Sequence, residues 1–350
     1  MLGFGKNKSV VGLDIGSSAV KAVELKVSGK GYRVAAIASE PIPPDSIVDG
    51  AIIDGGAVAD AIRRVFARKN FKAKDVAASL SGNAVIVKKI SLPVMTEQEL
   101  AESIYWEAEQ YIPFDIQDVN LDYQVIDPGT DGRPTMDVLL VAAKKEKIAD
   151  YTNVITQAGR QTVVVDVDAF ALQNAYEANY GVSGDVVALL NAGASATNVN
   201  IVSSGQSLFT RDISLGGNAY TEAVQRELNL PFDSAELAKK GYPVEGHAFE
   251  DVSPVLHAVT ENLLLEIQKT FDFYRATAVS DQIDRVVLSG GASAVDGFAD
   301  ALADRFSLPV EYFDPFRQVA FEKAPVVDVN ELAATAAVAV GLALRKAGDR

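Results

Sequence analysis

Asp14, Gly16, Ser17, Ser18 and Lys21 fall within one stretch, VVGLDIGSSAVKAVEL over residues 10–25. Their types and spacing suit a phosphate chain and its metal. An apolar run ends at Asp14, a turn of Ile15-Gly16-Ser17-Ser18 follows, and a second apolar run starts at Ala19. This reads as strand, tight turn, strand, with Asp14 at the tip. Gly16 permits positive φ and lets a ligand approach the backbone closely. The Ser17 and Ser18 N–H groups would then form an anion-binding concavity. Asp14 could hold Mg2+ through water, since Mg2+ keeps several waters and takes few carboxylates. Lys21 could reach a phosphate as a point charge. The pattern GxxxxGK[ST] of a Walker A loop is absent here, and an ordinary hairpin with a Gly-Ser turn would look the same.

A second copy of the stretch alters that balance. Residues 186–202 read VVALLNAGASATNVNIV. Aligned on the first copy, Gly193 matches Gly16, Ser195 matches Ser18 and Asn191 matches Asp14, with Ala194 between the glycine and the serine. Two like hairpins, each opening one half of the chain, point to an internal duplication that grips one phosphate chain from both sides. A third piece, IDRVVLSGGAS over 283–293, is an apolar strand followed by Gly290, Gly291 and Ala292, with a helix expected from about Val295. Paired glycines at a strand-to-helix turn let a phosphate or a flat ligand lie against the backbone.

Three such turns in this order resemble the actin-like ATPase superfamily, which includes actin, Hsp70, sugar kinases and FtsA. There they are the phosphate-1, phosphate-2 and adenosine motifs. The spacing from Asp14 to Lys21 is also similar to that of actin and Hsp70. The resemblance implies a duplicated α/β fold of ribonuclease H-like type, with ATP and Mg2+ as cofactors. The implied nucleotide site is Asp14, Gly16, Ser17, Ser18 and Lys21 on one side and Asn191, Gly193, Ala194 and Ser195 on the other. Gly217, at the start of a helix, and Gly290, Gly291 and Ala292 complete it, with Mg2+ on Asp14 through water. Glu236, Lys239 and Lys240 fit an E-x-x-K-[KR] pattern similar to one that holds adenosine in Hsp70-like members. A glutamate there could accept from ribose hydroxyls while lysine stems cover the base. An exposed charge pair on a helix would give the same spacing.

Stepping along the chain gives the elements that must position these residues. A third strand is expected over 31–39, a helix over 56–69 with Val58, Ile62, Val65 and Phe66 on one face, and a buried strand over 75–81. A compact β-α-β-β-α module follows over 84–159. Its strands are read at 84–90, 119–126 and 136–143, its helices at 97–111 and 147–158, and its turn at 129–134. Thr96 with Glu99 makes a capping box for the first helix. A strand over 161–168 and a helix over 169–180 lead to the second half. That half holds a strand over 207–213 and helices over 218–228, 253–276 and 295–306, with strands over 283–288 and 310–313. A small-residue helix over 329–345 closes the chain. The expected division is 1–83 with 160–182 as subdomain 1A and 84–159 as an FtsA-type insert, 1C. The other half divides into 183–215 with 281–350 as 2A and 216–280 as 2B.

Composition excludes several classes. The chain has 350 residues, 48% apolar and 23% charged, with a formal net charge of −15. That charge argues against nucleic acid as a partner and does not favour an anionic membrane surface. Cysteine is absent and only His247 and His257 are present, which speaks against a zinc site or a Cys/His catalytic pair. The N-terminus does not read as a signal peptide, and the apolar run over 332–344 is too short to span a bilayer. A cytoplasmic protein that meets the membrane only through partners is the expectation.

Within the superfamily, the stretches LGFGKNKSVVGLDIGSSAVKAVEL, ISLPVMTEQELAESIYWEAEQYIPFDIQDVNLDYQVID and LVAAKKEKIADYTNVITQAG look like the PilM family of type IV pilus assembly proteins. That resemblance implies an ATP-binding adaptor at the cytoplasmic face of the inner membrane. It would bind the N-terminal cytoplasmic tail of PilN in a groove between 84–159 and the first half-domain, and link the alignment complex to the pilus motor ATPases. It leaves homo-oligomer formation open. The other readings are an active actin-like ATPase or small-molecule kinase, or an FtsA-like cell-division protein. Asn191 bears on the choice, since catalytic members usually place an aspartate there. An amide carries no charge, binds Mg2+ less well and is no proton acceptor, so slow or absent hydrolysis is expected. The C-terminal residues 341–350 lack the aromatic, basic amphipathic helix of FtsA.

Overall fold

The computed structural model describes residues 9–29, 31–129, 132, 134–278, 282–322 and 329–349. Residues 2–8 of the opening stretch and part of the 129–134 turn lie outside them. The first half begins with β1 (Val11–Ile15), β2 (Ala19–Ser28) and β3 (Gly31–Pro41). A short hairpin of β4 (Ile47–Val48) and β5 (Ala51–Ile52), helix α1 (Gly55–Arg68) and β6 (Asp75–Leu80) follow. Next come β7 (Val85–Pro93), α2 (Glu97–Glu109), β8 (Val119–Asp127) and β9 (Thr135–Lys144). Helix α3 (Lys145–Gln157), β10 (Gln161–Val167) and α4 (Asp168–Tyr180) return to the first half. The second half has β11 (Val187–Ala192), β12 (Thr197–Ser203), β13 (Gln206–Ile213), α5 (Gly217–Leu228), α6 (Phe232–Lys239) and α7 (Phe249–Thr277). It ends with β14 (Arg285–Ser289), α8 (Phe298–Phe306), β15 (Val310–Tyr312), β16 (Val319–Phe321) and α9 (Val329–Ala343).

The duplication is one of topology. One sheet runs β10-β6-β1-β2-β3-β16 and the other β13-β12-β11-β14-β15. In each, three consecutive strands pair antiparallel, and two later strands add in parallel on the side of the first. The sequence reading assigns no strand at β16. It is three residues long, too short to show a period, and it forms because it pairs in parallel with Tyr32–Val34 of β3.

Helices α4 and α9 lie between the sheets. One core joins Val23 and Leu25 of β2, Leu172 and Tyr176 of α4, Val187 and Leu189 of β11, and Ala336, Ala337 and Val340 of α9. The alanine-rich face of α9 lets backbones approach closely. A Cβ on Gly12 would lie 2.0 Å from the Ala339 carbonyl oxygen, and one on Gly341 1.7 Å from that of Ala171.

The insert closes a core of its own, with Ile90 and Leu92 of β7, Leu100, Ile104 and Ala108 of α2, and Val138 and Leu140 of β9. Thr96 caps α2 as expected, with its own N–H donating to Glu99. Helix α3, grouped above with the insert, instead sends Tyr151, Val154 and Ile155 into the core built by α1 and the first sheet. Its apolar stripe faces α1 because β9 delivers the chain back to the first half. Helix α8 starts at Phe298 rather than near Val295. Gly291–Ala294 form a 3-10 turn, and Gly297, at φ +72°, resets the chain before the helix.

Candidate functional site

The two hairpins share one turn geometry. The Gly16 N–H donates to the Ala19 carbonyl at 3.1 Å, and the Gly193 N–H to that of Ala196 at 2.9 Å. Gly16 does not use the positive φ that glycine permits, since Gly16 and Gly193 both lie outside the left-handed region. Crowding explains the glycines instead. A Cβ at Gly16 would sit 3.3 Å from both the Ala19 oxygen and Lys21 Nζ, and one at Gly193 2.9 Å from the Ala196 oxygen.

Register then pairs Asp14 with Lys21 and Asn191 with Asn198. Lys21 Nζ donates to Asp14 Oδ2 at 3.0 Å, and Asn191 Nδ2 donates to Asn198 Oδ1 at 3.1 Å. One hairpin therefore carries a charged cross-strand pair where its twin carries an amide pair. The hairpin tips meet, with Ser17 Oγ 2.7 Å from Ser195 Oγ. This contact spans the two halves and closes the gap between the turns. Ser18 is exposed, and its carbonyl accepts from the Ile42 N–H at 3.1 Å.

The second hairpin also sets the start of α5. The Gly217 N–H donates to the Gly193 carbonyl at 2.9 Å and the Asn218 N–H to that of Ala194 at 2.7 Å. Lys239 Nζ reaches Gly217 O at 3.2 Å and Thr221 Oγ1 at 2.8 Å, and it is paired with Glu236, which also bonds Thr221. These two residues are thus not a solvated surface pair. Burial pushes the Glu236 carboxyl up, but the bonds from Lys239 and Thr221 and the lysine charges outweigh it and hold it below its ordinary value. Burial pulls Lys239 down further than Glu236 pulls it up. The glutamate's direction follows the ion pair, whereas at the lysine desolvation prevails. Lys240 is exposed and does not join them.

The third turn packs on the same place. Gly290, at φ +89°, lies so close to β11 that a Cβ would meet the Ala192 oxygen at 2.2 Å. Its N–H donates to the Ala334 carbonyl of α9 at 2.6 Å. Gly291 opens the 3-10 turn, and the Ala292 methyl stands 3.5 Å from where a Cβ on Gly217 would be. Gly217 therefore touches both Lys239 and Ala292 of the third turn, although Gly217, Gly290 and Ala292 are themselves buried.

The sequence reading missed Asp168, the first residue of α4. Protein surrounds its carboxyl, while the residue as a whole is half-buried. Burial, then the charge of Asp14, pushes it up to about 6, although Ser79 and Ser81 hydrogen-bond to it. The available signal was Asp-Val-Asp closing a strand before a helix, which many surface turns share. Because the folded state holds this proton more tightly than the unfolded chain, stability falls as pH rises from about 4 to 6. Asp168→Asn should remove that slope. Without nucleotide or magnesium we expect it to raise stability at pH 7 by roughly 1–2 kcal/mol, allowing for the partly open surface. Urea unfolding at pH 4.5 and 7 measures this, and equal slopes in both proteins would refute it.

Among the described residues no three acidic or histidine side chains converge to hold a metal. Asp14, whose carboxylate pairs with Lys21, has the Asp168 carboxyl near enough to feel its charge, and the Ser17 and Ser195 hydroxyls meet at the hairpin tips. Such a set fits a Mg2+ ion that keeps its waters and is brought by a phosphate chain.

Comparison with known proteins agrees with this architecture. Residues 12–347 match the family described as type IV pilus assembly protein PilM. A chain of a solved PilM–PilN type IV pilus biogenesis complex is 30% identical, with a TM-score of 0.86 over 97% of this chain and 98% of that one. Cell division protein FtsA of Bacillus subtilis (strain 168) is 21% identical over 350 residues, 86% of this chain and 77% of its own length. MreB5 of Spiroplasma citri, solved bound to AMPPNP, is 16% identical with a TM-score of 0.54 over 96% of this chain and 95% of its own, a likeness of fold alone. The fold is the duplicated actin-like one. No helix among the described residues is long and apolar enough to cross a membrane.

Proposed function

The chain belongs to the PilM family of type IV pilus assembly proteins, and from that premise we propose that it is an ATP-binding adaptor rather than a turnover enzyme. The observation that carries this reading is the asymmetry of the twin hairpins. Asp14 and Lys21 can serve Mg2+ and phosphate, while the facing positions Asn191 and Asn198 are amides, and the acid they reach, Asp212, is bonded to Asn198 and the Gly82 N–H. Mg-ATP would lie between the hairpins in place of the Ser17–Ser195 contact. Its adenosine would sit on Gly217, Glu236, Lys239 and the Gly290–Ala292 turn. Asp14 would hold Mg2+ through water, the ion would neutralise phosphate charge when bound, and Lys21 would offer its ammonium to a phosphate oxygen. Hydrolysis should run orders of magnitude below the typical 10 or so turnovers per second. Several phosphates released per second by the purified protein would instead establish an enzyme.

The partner reading rests on the solved relative, which is a PilM–PilN complex. In this chain the insert would be the docking platform for the N-terminal tail of PilN, at the cytoplasmic face of the inner membrane, with the pilus motor ATPases beyond. The insert sheet has the order β7-β9-β8, so β8 is an open edge. An open groove of about 660 Å3 lies on the insert between α2 and β8 and is lined by Glu97, Gln98, Ala101, Tyr123, Gln124 and Val125. An extended tail can add to an open edge through main-chain bonds, with pockets reading alternate side chains. A short tail that orders on binding should reach micromolar affinity, roughly −8 kcal/mol.

Calorimetry with a synthetic PilN tail tests the platform. The informative deletion replaces residues 84–144 with a short linker and keeps α3, whose Tyr151, Val154 and Ile155 belong to the first half. That variant should bind ATP and lose the tail. Full tail affinity would exclude the insert. Trp106 is 73% exposed and outside the groove lining, so its fluorescence is no substitute for heat.

A further inference from the structure

Ser79–Gly82 leads from the end of β6 into the insert, and this short passage is held by both hairpins. On the first side, Asp168 lies near enough to Asp14 and to the side chains of Ser79 and Ser81 for each to act on its carboxyl. On the second side, Asn191 Nδ2 donates to Asn198 Oδ1 at 3.1 Å, and Asn198 Nδ2 donates to Asp212 Oδ1 at 2.7 Å. The other oxygen of Asp212 accepts from the Gly82 N–H. Gly82 has φ +79°, so the chain turns sharply there, and Lys147 of α3 donates to the Ser81 carbonyl beside it.

The twin hairpins show what is special about Asp212. Register places Lys21 opposite Ser39 and Asn198 opposite Asp212, so Ser39 is the counterpart of Asp212 in the first half. The first hairpin carries its acid on its first strand, at Asp14. The second carries an amide there, and its acid stands two strands further out, at the one place where it meets the base of the insert. An acid kept only for a phosphate or a metal would gain nothing from that displacement. An acid that links the hairpin to Gly82 requires it.

We propose that Asp212 is a positioning residue that couples nucleotide between the hairpins to the setting of the insert, so that ATP and the partner tail alter one another's affinity. This rests on the function proposed above. A phosphate chain must displace the Ser17–Ser195 contact, which moves the second hairpin relative to the first. Asn191 and Asn198 move with it, and Asp212 passes the shift to Gly82. Linkage makes the effect reciprocal.

The test is a binding cycle by calorimetry on the full chain: Mg-ATP alone, the synthetic PilN tail alone, and each with the other saturating. In the wild type, saturating tail should change the ATP Kd at least five-fold, the low end of usual couplings. Asp212→Asn keeps an acceptor for Asn198 and loses the one for Gly82. Asp212 is exposed, so the core is undisturbed. Each ligand alone should bind the variant within two-fold of wild type, and the coupling should disappear. Asn198→Ala, which breaks the chain one step earlier, should give the same loss. Coupling retained in both variants would overturn the proposal. So would a wild type that binds both ligands with no effect of one on the other, and the functional reading would then stand. A wild type that binds neither would remove both.

Discussion

Gly341→Ala is expected to lower the urea midpoint sharply while most of the protein still folds in water. The new methyl would stand 1.7 Å from the Ala171 carbonyl oxygen and 2.5 Å from its carbon. Both are backbone atoms of α4, so no rotamer change can relieve the overlap, and α9 must move away as a body. That movement opens the core in which Leu172 and Tyr176 meet Ala336, Ala337 and Val340. Overpacking usually costs about 1–3 kcal/mol, and here it acts at the junction of both halves. We expect a loss of about 3 kcal/mol or more, a large part of the 5–15 kcal/mol typical of a domain. Gly12→Ala, with its methyl 2.0 Å from the Ala339 oxygen, should behave alike. Gly184→Ala serves as the control, because nothing lies within 4 Å of its Cβ and its φ is not in the left-handed region. It should be neutral or slightly stabilising. Urea unfolding of the three proteins decides the matter, and a Gly341→Ala midpoint equal to that of Gly184→Ala would show that the helices adapt freely.

Asp14→Ala should weaken Mg-ATP binding by about 10- to 100-fold, the range expected when a charged hydrogen-bonding group at a metal site is lost. The same change in EDTA should have the opposite tendency. Asp14 and Lys21 are paired at 3.0 Å, and removing the carboxylate frees the ammonium for a phosphate and takes away a nearby negative charge. ATP without metal should therefore bind Asp14→Ala as well as or better than wild type. Calorimetry with and without Mg2+ separates the two effects. Equal losses in both buffers would mean that Asp14 acts on the turn rather than on the ion, and no loss in either would remove it from the site.

What the sequence determined by itself is local. Strand, turn and strand at Asp14–Lys21 and at Asn191–Asn198 are legible because apolar runs broken by a short turn with glycine and serine need only adjacent residues. The same holds for the Thr96 cap and for the small residues of α9, and the repeat made the duplication visible before any contact was known. The partition of α3 was not legible, because an amphipathic stripe says that a helix is buried and not against what. Nor was β16, whose three residues become a strand only beside β3. Crowding around Gly16 depends on Lys21 folding back over the turn. Ser17 meeting Ser195, Asp168 lying near Asp14 and Asp212 reaching Gly82 join residues 130 or more apart in sequence. Tertiary structure alone decided these contacts. Local pattern carries hydrophobic period and turn chemistry, whereas the meeting of two polar side chains across a cleft depends on how α4 and α9 set the two sheets against each other.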